Sequence, residues 1–179
     1  MLAVSGQLDR AKPKGSAVSR AGEGNSFALQ RAGAFDARLP VRSVYLPVLR
    51  NNFLDSLALF DFPDPGLIVA ERATTTVPAQ ALYLLNGPFV MRQAEMAATQ
   101  LLSDSDVDCD CQRIRAAYLR VVNRPPTEAE QTAIEKFLAS YGHGQATPSA
   151  HPAGPTDAQA VWAAIYQALF ASAEFLYRG

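Results

Sequence analysis

Between residues 42 and 90 the chain reads RSVYLPVLRNNFLDSLALFDFPDPGLIVAERATTTVPAQALYLLNGPFV, a series of apolar helix signals interrupted by polar turns. This block places a structured core in the middle of the chain. Ser43 to Leu46 suits a short extended piece closed by Pro47. Asn52 then caps a helix over 53–59, whose Phe53, Leu54 and Leu57 fall on one side together with Phe60. The run FDFPDPG stops that helix, because Pro63, Pro65 and Gly66 demand a rigid turn in which Asp61 and Asp64 can accept from backbone N–H groups. A second helix enters at Thr74-Thr75-Thr76-Val77-Pro78: a threonine hydroxyl serves the orphan amides, and Pro78 fits a first turn where its missing N–H is harmless. It spans 79–85 and ends at Asn86-Gly87-Pro88.

Farther along, residues 89–102 form a helix carrying Phe89, Met96, Leu101 and Leu102, with alanines where another helix can approach closely. The acidic stretch 104–110 reads as a solvated loop. In 111–122, Ile114, Ala117, Tyr118 and Val121 make one apolar stripe. After Pro125-Pro126, Thr127 and Glu130 have the spacing of a capping box, and Ile134, Phe137 and Leu138 supply the next stripe, so the two segments predict a helical hairpin. The longest predicted helix is 158–177, with Val161, Ile165, Leu169 and Leu176 on one side and Trp162, Tyr166 and Phe170 beside them as core. The Lys-, Gly- and Ser-rich residues 6–40 show no periodicity and read as an arm; residues 1–8 resemble the stub of an upstream helix. Residues 141–157, rich in Gly, Pro, Ala and Ser, read as a flexible linker. The expected fold is therefore mainly α: a small irregular helical bundle with an extended N-terminal arm (1–40), a single helical domain (41–179) and a helical hairpin within it.

Charge and composition narrow the partners. Sixteen Lys plus Arg against seventeen Asp plus Glu give a net charge of −1, and the basic residues are scattered, which argues against nucleic acid. No apolar run approaches the about 20 residues of a membrane span, and the first residues lack the apolar core of a signal peptide. Cys109 and Cys111 stand in C-D-C, a poor staple because it closes almost no loop; surface thiols, a strained redox pair or adventitious metal contact, or small buried apolar groups are the readings open to them. With His143 and His151 in the linker, neither a metal site nor a nucleophilic triad is expected, and no cofactor.

Six residues are candidates for ligand binding. Arg50 and Asn52 precede the first helix while Asp61 and Asp64 follow it, so a helix folded back would set an arginine fork beside two carboxylates able to grip sugar hydroxyls or a carboxylate. The plainer alternative is that Arg50 bonds an aspartate and fixes the turn. Thr76 and Gln80 lie at a polar helix mouth that could receive an anionic group, although capping alone accounts for them. Paired carboxylates are the minimum for glycoside hydrolysis, but no apolar cleft that would raise a pKa is evident.

Taken together, SVYLPVLRNN, FDFPDP, TTTVPAQALYLLNGPFV, YLRVVNRPPTEAE and the closing WAAIYQALFASAEFLYRG resemble the C-terminal domain of unknown function of large planctomycete proteins that also carry cytochrome c-like domains. The resemblance runs from Met1 to Gly179 and is strongest over 42–90 and the last twenty residues. It departs at Glu71-Arg72-Ala73, where relatives tend to have a basic pair and Asn, and at Val122-Asn123-Arg124, where they often read Leu-Gly-Arg. Asn123 can adopt the left-handed conformation left to that glycine. The resemblance implies an exported, periplasmic or extracytoplasmic parent; with no complete active site and many apolar residues against few charged ones, the leading reading is a helical accessory or interaction domain that packs on upstream domains. Two alternatives remain: a polysaccharide-binding or -processing component with Tyr45 or Trp162 as a stacking surface, and a docking surface for a cytochrome-like redox domain.

Overall fold

The structure is a computed structural model that describes residues 1–12, 40–46, 48, 55–63, 66–68, 75, 77–142 and 157–177. Among these the chain is mainly helical and contains no strand, as the sequence pattern predicts. The helices are α1 (Asp55–Leu59), α2 (Pro78–Asn86), α3 (Pro88–Leu102), α4 (Asp110–Val121), α5 (Glu128–Gly142), α6 (Asp157–Phe170) and α7 (Ala173–Leu176), preceded by a 3-10 turn at Ser43–Tyr45. The chain divides within α2 into two compact units, Met1–Gln7 with Tyr83–Gly179, and Leu8–Leu82.

In the larger unit, α3 and α6 form the principal helix pair. The sequence of α3 buries Val90, Gln93, Ala94, Ala97, Ala98 and Leu101, three and four residues apart, so one face is continuous and its three alanines admit a neighbouring backbone. From α6 come Val161, Trp162, Ile165, Tyr166, Leu169 and Phe170, and from α4 Ile114, Ala117, Tyr118 and Val121. The expected stripes of α4 and α6 are thus observed in the core. On α3 only Leu101 of the four expected residues is buried: Phe89 and Leu102 are half-buried and Met96 is exposed, because the helix turns its alanines, with Val90 and Gln93, toward α6. The expected stripe of α5 departs as well, since its Ile134 and Leu138 are half-buried and Phe137 is exposed.

Helix ends follow local chemistry. Gly87 is the N-cap of α3 and Pro88 its first residue. The Gly87 N–H donates to the Tyr83 carbonyl at 2.6 Å, an approach so close that a Cβ at position 87 would lie 2.5 Å from that oxygen. The α4–α5 connection behaves as expected: Asn123 takes a φ of 61° and donates its N–H to Tyr118 O at 3.1 Å. The Thr127–Glu130 box is reciprocal, with Glu130 N donating to Thr127 Oγ1 at 3.3 Å and Thr127 N donating to Glu130 Oε2 at 2.7 Å. The first five residues make a helical turn, closed by a bond from Gln7 N to Leu2 O at 3.0 Å around Gly6, whose φ is +68°.

Two expectations are corrected. Ser43–Tyr45 is a 3-10 turn rather than an extended piece, with Tyr45 N donating to Arg42 O and Leu46 N to Ser43 O. With no strand among the described residues to pair with, a local turn satisfies these amides. The closing helix is not continuous over 158–177 but breaks after Phe170. Ser172 causes the break: its hydroxyl donates to Leu169 O at 2.7 Å and accepts from Phe175 N at 3.3 Å, capping α7 in competition with the helical ladder. The redirected chain lays the Phe175 ring 5.2 Å from that of Phe170. Most of the expected arm and linker, including His143 and His151, lie outside the described residues.

Candidate functional site

Of the six candidate ligand residues, the smaller unit describes Asp61 and Gln80; Arg50, Asn52, Asp64 and Thr76 lie outside the described residues. Helix α1 ends in a Schellman arrangement, with Phe62 N donating to Leu57 O at 3.0 Å and Asp61 N to Ala58 O at 3.2 Å. Asp61 therefore occupies the left-handed position usually left to glycine, at a φ of 59°. Aspartate tolerates it because its short polar side chain finds local partners. Its Oδ2 accepts from Thr75 N at 2.7 Å and its Oδ1 from the Thr75 hydroxyl at 2.6 Å.

Buried Gln80, in the first turn of α2, completes the arrangement. Its Nε2 donates to Leu59 O at 2.9 Å and to Thr75 O at 3.2 Å, so one amide holds an orphan carbonyl of α1 and the strand of chain entering α2. Asp61 and Gln80 are brought together on Thr75, and both act as braces of the α1–α2 connection. Trp162, the other proposed sugar platform, is 3% exposed in the core of the larger unit, so it presents no face for stacking.

A second polar cluster lies in the larger unit, and sequence reasoning found only half of it. Arg124 donates from Nη1 and Nη2 to Glu130 at 2.8 Å each, from Nε and Nη2 to Glu174 at 2.7 Å each, and from Nη1 to Pro125 O at 3.0 Å. Its guanidinium carbon also sits 5.5 Å from the centroid of the Tyr118 ring. The fork thus ties the α4–α5 turn to α7. Asn123-Arg124 and the capping box were visible signals, whereas Glu174 is 50 residues away in sequence and nothing local marks it as a partner. Arg124 hydrogen bonding, aided by the Thr127 bonds, draws the Glu130 pKa down to about 2, and the same guanidinium lowers that of Glu174.

That shift carries a pH dependence. A depressed carboxylate pKa stabilises the fold above the ordinary value of about 4.5 and the contribution disappears as pH falls through about 2. Glu130→Gln should therefore melt below the wild type at pH 7, with the gap in Tm narrowing between pH 4.5 and 2 and closing beneath it. A gap that stays constant across thermal melts at these pH values would show that ionised Glu130 is not the stabilising species.

At the edge of the core, half-buried Arg120 donates to Asp104 Oδ2 at 2.5 Å and faces the buried Tyr166 phenol. Burial raises the phenol's pKa and Arg120 opposes it, yet among the described residues neither Tyr166 Oη nor Arg120 Nη1 has a partner in hydrogen-bond geometry. Among the described residues no group of three or more His, Cys, Asp or Glu could hold a metal ion, and no helix is long and apolar enough to cross a membrane.

A bundle whose polar clusters brace helix ends defines a helical module. The chain belongs to the family described as PSD1, protein of unknown function (DUF1553), which it matches over residues 1–138. This is a domain found in planctomycete multidomain proteins, often paired with cytochrome c-like domains. The match includes the 42–90 block and the α4–α5 turn and stops before α6, so the closing helices lie beyond it. Comparisons with curated proteins and with solved structures gave no match.

Proposed function

We propose that the chain is an accessory interaction domain of a larger extracytoplasmic protein and docks on that protein's other domains through the outer side of α5. The observation that carries this reading is the apolar surface α5 presents. Phe137 and Tyr141, one turn apart, pair their rings at 5.9 Å while remaining 37% and 48% exposed, beside half-buried Ile134 and Leu138. An amphipathic helix ordinarily turns such a stripe into its own core, and paired aromatic side chains are favoured anchors at protein interfaces. Exposed Met91 and Met96 on α3 add adaptable apolar area in the same unit. A cytochrome c-like domain is the first partner to test, because the family pairs with such domains.

Calorimetric titration of the 179-residue chain with a cytochrome c-like domain from a protein of this family is expected to show saturable binding with a negative heat-capacity change, the mark of apolar burial. The double variant Phe137→Asp, Tyr141→Asp should weaken it at least tenfold without loss of helical circular dichroism. Absence of binding by the wild type, with a heat response to a polysaccharide panel instead, would favour the carbohydrate reading.

A further inference from the structure

We propose that Cys109 and Cys111 form a redox-active dithiol that exchanges with low-molecular-weight disulfides from solution. The proposal stands apart from the docking role and rests on the start of α4. Cys109 is the N-cap of this 12-residue helix, in extended conformation (φ −122°, ψ 160°), and its Sγ accepts the Gln112 N–H at 3.4 Å. Cys111 follows two residues later in the first turn, and both side chains are free and exposed. Gln112 locks the geometry from its other end, its Oε1 accepting the Asp108 N–H at 2.9 Å. A cap residue and the second residue of a helix lie about 5 to 6 Å apart between Cα atoms, within the span a disulfide bridges.

The two sulfurs are unequal. The Cys111 thiol and the Gln112 amide both stabilise the Cys109 thiolate and lower its pKa, whereas the pairing with Cys109 raises that of Cys111. The roles divide accordingly. The Cys109 thiolate attacks one sulfur of a disulfide RSSR, forming a Cys109–SR bond and releasing RS⁻. Cys111 then gives its proton to RS⁻ and attacks Cys109 Sγ, so that the Cys109–Cys111 bond forms as the Cys109–SR bond breaks and a second RS⁻ leaves, protonated by solvent. The dithiol is oxidised and one RSSR is reduced to two RSH. Because C-D-C closes a very small ring, the product is strained and readily reduced again, which suits exchange rather than stapling.

The test uses the reduced full chain and glutathione disulfide as probe, with alkylation and mass spectrometry of the peptide holding both cysteines. The wild type is expected to lose two hydrogens as a monomer and to recover them with excess glutathione. Cys111→Ser should arrest as a glutathione adduct on Cys109, while Cys109→Ser should react roughly tenfold more slowly at neutral pH and reach equal rates only at alkaline pH. Stable adducts on both cysteines of the wild type, disulfide-linked dimers as the sole product, or equal rates and pH profiles for the two single variants would overturn the proposal. Both substitutions are on exposed side chains, so unchanged circular dichroism is the accompanying control.

Discussion

Truncating Phe170 to alanine is expected to lower the stability of the fold by about 3 to 5 kcal/mol, the range for removing a large aromatic side chain from a closed core. Phe170 is fully buried, with the Tyr166 ring 6.2 Å away and the Phe175 ring at 5.2 Å. The neighbours cannot collapse into the gap: Tyr166 is fixed by its place on the same helix, and Phe175 by the Ser172 cap that sets the direction of α7. Since a small domain's stability is about 5 to 15 kcal/mol, this one change should remove a large share of it. Urea denaturation followed by circular dichroism would show the midpoint falling with the slope unchanged. A loss below about 1 kcal/mol would mean that Phe170 is not at the closed centre of the α3–α6 core.

The second large effect is expected at Gly87, where alanine should cost about 1 to 3 kcal/mol or more. The added Cβ would meet the Tyr83 carbonyl oxygen at 2.5 Å and the Tyr83 ring carbon Cε2 at 3.2 Å. A side chain can swing aside, but the oxygen belongs to α2 and accepts the Gly87 N–H, so the α2–α3 turn itself must open. Trimming the ring in a Tyr83→Ala, Gly87→Ala double variant should therefore fail to restore stability. Thermal melting of the single variants and the double separates the two causes: rescue by Tyr83→Ala would place the conflict at the ring.

Much of the bundle was legible because its signals are local. The stripes of α4 and α6, the close-packing alanines of α3, the reciprocal Thr127–Glu130 cap and the left-handed Asn123 each depend on residues within about two turns of one another. The break at Ser172 was hidden because the apolar period continues through it to Leu176, and the period outweighs a single hydroxyl in a sequence reading. Ser43–Tyr45 looked extended from its composition, yet an extended segment needs a neighbour that the pattern cannot guarantee.

The candidate site was less legible. Asp61 stood out as a carboxylate beside prolines, but its left-handed φ and its two bonds to Thr75 arise from how α1 ends and where the chain returns 14 residues later. Gln80 was marked as part of a helix mouth, and the carbonyl it serves on Leu59 is 21 residues upstream. Glu174 was not singled out at all, because a long-range ion pair leaves no periodic trace in either partner's neighbourhood.

Hydrogen exchange across α5, measured on the chain alone and with the cytochrome c-like domain bound, tests the central claim most directly. A peripheral helix with few buried side chains opens easily, so its amides report docking sensitively. Docking through Phe137 and Tyr141 predicts several-fold slower exchange over residues 128–142 in the complex, lost in the double aspartate variant. Unchanged exchange in α5, with slowing confined to residues 55–82, would contradict the account and return the weight to the Asp61–Gln80 region as the binding surface.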